Sequence, residues 1–474
     1  MDEARWFPGA DVIAAANLTD AMSELGLGTY DDFYTWSAAQ RGEFWGYTTE
    51  RLGIVLSEPA NVILNGTPQH PRWLAGATLN IAESCFQADR IAVAIVSSRG
   101  GDLHRLTYEE LRRQANRFAN GLRQSGVGPG ERVAIAMSMS PESVVAYLGI
   151  VLAGGVVVSI ADSFAPMEIQ TRLRIAGTDL VVTQDVIRRG DKTLPMYEKV
   201  VAAGAGRAVV VTTGAGTKLR PGDRWWDEFL AVDDGFAAVP CDPGDHSNIL
   251  FSSGTTGDPK AIPWTHTAPI KAASDGHFHQ DIHPGDTVAW PTNLGWMMGP
   301  WLIYATLING ATMALHDDVP AGAGFARFVE AAGVTILGVV PSLVASWRSS
   351  GVAEPYDWSR IRLFSSTGEA SNSSDMAYLM DLAGNKPIME YIGGTELAGG
   401  YMSGTVLQPC TPSTFTTPTV GGAIHILDEN GDPADIGELF IEPPAMGLST
   451  ELLNRDHDMV YYSGTPAVAG VRLR

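Results

Sequence analysis

From Thr107 onward the chain alternates two hydrophobic rhythms. In "TYEELRRQANRFANGLRQSGVGPG" the apolar positions Leu111, Ala115, Phe118, Ala119 and Leu122 recur at helical spacing. Thr107 is placed as the N-cap, with Glu110 three residues later, and Gly126 and Gly128-Pro129-Gly130 end the helix. "RVAIAM" (132–137) is then continuously apolar, as a strand buried on both faces must be. "VVAYLGIVLAGGVVVSI" (144–160) repeats the order, a helix broken at Gly154-Gly155 and followed by a strand; it is too short and too interrupted for a membrane span. "NILFSS" (248–253), "AIPWTH" (261–266), "ATMALH" (311–316), "TILGVV" (335–340) and "IRLFSS" (361–366) supply further extended runs. Strands alternating with helices predict parallel sheets and an α/β fold.

After about residue 400 the rhythm changes. "AIHILDENGDPADIGELFIEPP" reads as strand, Asn430-Gly431 turn, strand, which suits an antiparallel unit. Residues 1–100 are rich in Trp and Gly with weak periodicity, and are expected to form an irregular extension packed on the core. The predicted organisation is therefore an N-terminal extension (1–100), two α/β subdomains with largely parallel sheets (101–245 and 246–405), and a smaller antiparallel β-rich subdomain (406–474). A length of 474 residues fits more than one core.

Charge narrows the partners. Fifty-three acidic against 32 basic residues give a net charge of −21, which argues against nucleic acid or an anionic membrane. Cys85, Cys241 and Cys410 are widely spaced and odd in number, so neither a disulfide framework nor a zinc site is expected. "MDEARWFPGA" lacks the basic and apolar regions of a signal peptide. A reducing cytoplasm fits these features.

One segment departs from ordinary loop chemistry. "FSSGTTGDPKAIPWTH" sets Ser252, Ser253, Gly254, Thr255, Thr256 and Gly257 in succession, with Lys260 beyond. The glycine spacing is not that of a Walker loop, G-x-x-x-x-G-K-[ST]. Glycines nonetheless let several N–H groups turn one way to cradle an anion, hydroxyls add donors, and Lys260 adds a point charge. A flexible surface loop is the plainer alternative, but it would rarely sit between two apolar strands.

This segment resembles the signature loop of the adenylate-forming superfamily, which includes acyl- and aryl-CoA synthetases. "YIGGTELAGGY" (391–401) is similar to that family's later motif ending in Thr-Glu, here Thr395-Glu396, and "STGEAS" (366–371) to its adenine-holding segment. "LTYEELRRQANRFANGL", "GELFI" (437–441) and "WLAGATLNIAESC" (73–85) follow suit, the last resembling the acetyl- and acyl-CoA synthetase branch. The resemblance implies the large domain of an acetyl-CoA synthetase-like fold. It also implies ATP- and Mg²⁺-dependent conversion of a carboxylate to an acyl-adenylate, then transfer to a thiol, coenzyme A or that of a carrier protein.

By the same resemblance, Ser252 to Gly257 and Lys260 would grip the β- and γ-phosphates, with Thr255 and Lys260 catalytic. Thr395 would donate to the α-phosphate and Glu396 would hold Mg²⁺. Gly368, Glu369, Ala370, Glu390, Tyr391, Ile392, Gly393 and Gly394 would line the nucleotide. The family usually carries an aromatic three residues before the threonine; here that position is Ile392, with Tyr391 one earlier, so which of them meets adenine is open.

The acyl pocket is expected from Trp296, Met297, Met298 and Gly299 in "LGWMMGPW", with Thr367 and Gly393. Acetate-specific relatives place a tryptophan where this chain has Gly393, so an acid bulkier than acetate is expected. That wall carries no acidic residue to receive an α-ammonium group, which argues against an amino acid substrate. Relatives continue past a Gly-Asp motif into a mobile C-terminal domain, and "YYSGTPAVAGVRLR" is similar to the lead-in. Three readings follow: an engineered large domain, a natural split protein, or a degenerate nucleotide-binding relative. The first two predict ATP binding with weak turnover, and intact Lys260, Thr395 and Glu396 disfavour the third. A homodimer is left open.

Overall fold

The computed structural model describes residues 3–252 and 257–474. Two seven-stranded sheets organise it. The first runs, edge to edge, Arg224–Trp225, Arg207–Val211, Leu180–Gln184, Arg132–Ala136, Val156–Ile160, His246–Ser252, Lys260–Thr265. The second runs Ile388–Glu390, Leu363–Ser366, Ile336–Val339, Thr287–Ala289, Thr312–Leu315, Val93–Arg99, Asp102–Thr107. All neighbours are parallel except the last pair of each sheet, a hairpin. Every residue of Val156–Ile160 and Leu180–Gln184 is buried, as parallel strands covered on both faces require.

The helices between strands form where the periodicity predicts. Tyr108–Gln124 opens with a full capping box: Thr107 Oγ1 accepts from Glu110 N at 3.2 Å, and Glu110 Oε2 from Thr107 N at 2.8 Å. Met298–Ile308 is apolar almost all round and every residue of it is buried.

Sheet membership is less linear than the sequence suggests. The hairpin at 246–265 completes the first sheet, Asn248 pairing with Val157, while 93–107 closes the second beside Thr312–Leu315. The first sheet thus crosses the expected boundary near 245, and the second draws on stretches from both sides of those near 100 and 245.

Residues 10–51 also differ from an irregular extension, forming four helices: Ala10–Ala15, Asn17–Leu25, Tyr30–Ala39 and Arg41–Arg51. Each is only two or three turns, too brief to show a clear period, and aromatic anchors dock them. Phe33 packs on Phe44 and Phe278, with centroids at 6.1 and 5.5 Å.

The C-terminal stretch carries small antiparallel sheets, including Ala423–Leu427 with Glu438–Glu442. Asn430 and Gly431 fall within the connection between these two strands. Cys85, Cys241 and Cys410 are buried and unpaired. Among the described residues no helix is long and apolar enough to cross a membrane.

Candidate active site

Ser252 and Lys260 face each other in register, the last pair of the hairpin formed by His246–Ser252 and Lys260–Thr265. Ser253, Gly254, Thr255 and Thr256 lie outside the described residues. Gly257, at φ +91°, takes a conformation suited to glycine. The hairpin meets the Thr-Glu motif directly. Lys260 Nζ donates to Glu396 Oε1 at 2.9 Å, and Trp264 Nε1 donates to the Thr395 carbonyl at 2.8 Å.

Tyr461 Oη donates to the same Glu396 oxygen at 2.9 Å, with the Lys260 ammonium 4.8 Å and the Arg474 guanidinium 3.8 Å from its ring centroid. Burial by itself would push the Glu396 carboxyl up. The Lys260 ammonium and the Tyr461 hydroxyl override it and hold the group below the usual carboxylate range.

Beside this cluster opens a cavity of about 620 Å³. Its lining comes from the carboxyl ends of parallel strands in both sheets. Ser138 follows Ala136, Asp162 follows Ile160, Trp290 follows Ala289, Thr367 follows Ser366, and Gly393 to Thr395 come just after Glu390. Crevices at strand carboxyl ends are where open α/β sheets bind ligands. Of the expected residues, the cavity gathers Trp296, Met297, Met298, Thr367, Gly368, Glu369, Gly393, Gly394 and Thr395. Glu369 is pinned at its far side, accepting from Ser342 N and Oγ at 2.9 and 3.0 Å.

Comparisons with known proteins give the family and the fold. Residues 83–448 match the family model described as "AMP-binding enzyme", and residues 30–85 match "Acetyl-coenzyme A synthetase N-terminus". The chain belongs to the AMP-binding enzyme family. It is 42% identical to "Probable acyl-activating enzyme 17, peroxisomal" of Arabidopsis thaliana and 41% identical to "Hexanoyl-CoA synthase" of Cannabis sativa, each match covering 99% of this chain and 70% of the relative. Its fold matches the acetoacetyl-CoA synthetase from Streptomyces lividans with a TM-score of 0.93 at 26% identity, over 99% of this chain and 77% of that one. With these relatives it is an AMP-forming acid–thiol ligase.

Within this AMP-binding enzyme several expected residues sit elsewhere. Tyr391 is 1% exposed, and its hydroxyl donates to Asp275 Oδ2 at 2.6 Å, so it belongs to the core and not to the cleft; Ile392, 40% exposed, is the outward neighbour. Glu390 is buried behind the strand, and burial pushes its carboxyl up. Ala370 is exposed and outside the cavity lining. Gly299 packs on backbone, since a Cβ there would lie 2.2 Å from the Asn293 carbonyl oxygen.

Gly393 lines the cavity through its backbone. A Cβ on it would meet the Gly399 carbonyl oxygen at 2.2 Å, so the neighbouring strand has closed over the side-chain position. The cavity also holds acidic residues that the sequence reading missed, Asp162, Asp317 and Asp318. Asp162 is paired with Arg189 at 2.6 Å and accepts from Asn293 Nδ2 at 3.3 Å. Their signal was position alone, each lying within three residues of the end of a parallel strand.

Mg²⁺ can be tested against the donors present. Among the described residues no group of three His, Cys, Asp or Glu side chains could hold a metal ion. Glu396 by itself, with phosphate oxygens and water completing the shell, suits Mg²⁺, which keeps several waters and takes few protein ligands.

Proposed function

We propose that this enzyme activates a carboxylic acid larger than acetate as its acyl-adenylate, releasing pyrophosphate, and passes the acyl group to the thiol of coenzyme A. The observation carrying this reading is the junction of a charged cluster, Lys260 with Glu396, and an aromatic- and methionine-walled cavity through adjacent residues of one strand turn, Gly393 to Glu396. A triphosphate needs the first and an acyl chain the second.

In the first half-reaction a carboxylate oxygen attacks the α-phosphorus, and the bond to the bridging oxygen breaks with its electron pair leaving on pyrophosphate. Negative charge gathers on the phosphoryl oxygens, so catalysis rests on positioning and on donors aimed at that charge. Lys260 would face the departing phosphates and Thr395 the α-phosphate. Mg²⁺ held by Glu396 would supply charge neutralisation at the phosphates. In the second half-reaction a thiolate attacks the acyl carbon and AMP departs. A further cavity of about 620 Å³, sharing Ser138, Met139, His316, Asp317 and Asp318 with the first, supports a route for that thiol.

The size of the acid is supported by the volume of the cavity, about 620 Å³ with Trp290, Trp296, Met297 and Met298 in its wall, and by the hexanoyl-CoA synthase among the relatives. Buried, unpaired cysteines support the reducing compartment expected from the sequence, although one of the two relatives is named peroxisomal. The test is ATP–pyrophosphate exchange with acetate, butyrate, hexanoate, octanoate and benzoate. Exchange should be strongest with an acid larger than acetate and should drop by about 3 kcal/mol in transition-state stabilisation in Glu396→Ala, the scale of losing one charge stabiliser. Acetate giving the highest kcat/KM would overturn the reading of the pocket, and parental exchange in Glu396→Ala that of the charged cluster.

A further inference from the structure

One wall of the cavity beside the Thr-Glu motif is a buried indole. Trp290 follows strand Thr287–Ala289 and lines the cavity while remaining only 4% exposed. The pairing Val288↔Ile336 and Ala289↔Leu337, continued by one residue, brings Trp290 opposite Gly338. There the indole lies against bare backbone: a Cβ added to Gly338 would fall 1.9 Å from Trp290 Cδ2 and 2.2 Å from Cε3. No side chain larger than glycine fits at 338 without moving the ring.

The far side of the indole is braced. Trp301, fully buried, packs edge-on against it with centroids 5.4 Å apart. Trp301 Nε1 donates to Tyr391 Oη at 3.1 Å, Tyr391 Oη donates to Asp275 Oδ2 at 2.6 Å, and the Lys271 ammonium closes on Asp275 Oδ1 at 2.6 Å. The ring has close-packed side chains behind it and open cavity in front.

We propose that Trp290, seated over Gly338, is the specificity-determining residue that ends the acyl pocket and sets the longest aliphatic acid accepted. The substrate class is then straight-chain acids of medium length, whose methyl end abuts the indole. This rests on the proposed activation of an acid larger than acetate. Replacing the indole with a methyl group opens the space up to Trp301 and no farther, because the Trp301–Tyr391–Asp275 chain fixes the next layer. A methyl at 338 overlaps the ring and must displace it; because Trp301 blocks retreat into the core, the room left is the cavity, which the shifted ring shortens. The two substitutions therefore act with opposite sign.

The experiment reads the rise in melting temperature given by non-hydrolysable acyl-sulfamoyl adenosines, acetyl through dodecanoyl, on the full chain, with ATP–pyrophosphate exchange on the matching acids. In the parent, affinity should climb about fourfold per methylene until the chain reaches Trp290, then fall. In Trp290→Ala the climb should continue to longer chains, and in Gly338→Ala the fall should come earlier, while the melting shift given by ATP alone matches the parent in both. Trp290→Leu, which retains apolar packing on Trp301, carries the same test with a smaller displacement if the alanine variant does not fold. Unchanged chain-length optima in the folded variants overturn the assignment of Trp290. A parent that binds the acetyl compound best overturns the activity reading instead, so the two failures are distinguishable.

Discussion

The contact between Lys260 and Glu396 joins the hairpin at 246–265 to the Thr-Glu motif, and a double-mutant cycle measures it. The two charges are 2.9 Å apart, with side chains 21% and 20% exposed. At an effective dielectric constant of ~20 their gross attraction is about 6 kcal/mol. Desolvation and side-chain ordering return most of it, leaving about 2 kcal/mol, the range of a charge-assisted hydrogen bond. Lys260→Met should leave a largely buried carboxylate with Tyr461 as its remaining side-chain donor among the described residues, and Glu396→Gln should leave the ammonium without this counter-charge. Each single variant should therefore lose stability, and the double variant should lose less than the two together by about 2 kcal/mol.

Calorimetric unfolding of the four proteins without ligand gives that difference. Being mostly buried, the coupling should survive about 0.5 M salt better than an exposed pair would. With Mg²⁺ and ATP present it should shrink, since both groups then have other partners. Additivity of the single losses within about 0.5 kcal/mol would show that no such bond joins the hairpin to the motif, and the physical basis for one shared site would go with it.

Three further outcomes are expected. Tyr391→Phe removes the hydroxyl that donates to buried Asp275 and should cost about 1–3 kcal/mol of stability while leaving KM for ATP unchanged. Ile392→Ala should raise that KM with little loss of stability, and the opposite pattern would return Tyr391 to the nucleotide. Gly393→Trp should not produce an acetate-specific enzyme: even Gly393→Ala forces a Cβ against the Gly399 carbonyl and should lower Tm, by about 1–3 kcal/mol in stability. A well-folded Gly393→Trp variant preferring acetate would refute this.

The third outcome concerns Asp286. Burial opposes its charge, but the Arg362 guanidinium, the His283 N–H and the Thr335 hydroxyl hold its carboxyl below the usual range. A depressed folded-state pKa stabilises above the ordinary carboxylate value of about 4 and loses that contribution as pH falls through the lower folded value. Asp286→Asn should therefore melt below the parent at neutral pH, with the gap narrowing in acid. A gap independent of pH would refute it.

What the sequence makes legible is what the local chain determines. The Thr107–Glu110 capping box and the apolar strands each depend on neighbours a few residues away, and each forms as expected. Sheet membership depends instead on pairings across the chain, such as Asn248 with Val157, which no local pattern announces. The short N-terminal helices fail for a related reason: two or three turns hold too few apolar positions to define a period, and aromatic docking by Phe33 and Phe44 supplies the order.

The Thr-Glu motif shows the limit most sharply. Along an extended backbone successive side chains point to opposite faces, so moving an aromatic by one residue changes its destination completely. In "EYIGGTE" the tyrosine falls on the face that meets Asp275 of the helix Ala268–Phe278, where a buried carboxylate and the Trp301 indole satisfy its hydroxyl. The isoleucine takes the outward face. Motif spacing locates the strand, and only the partners waiting on each side decide which residue is buried in the core and which one faces out.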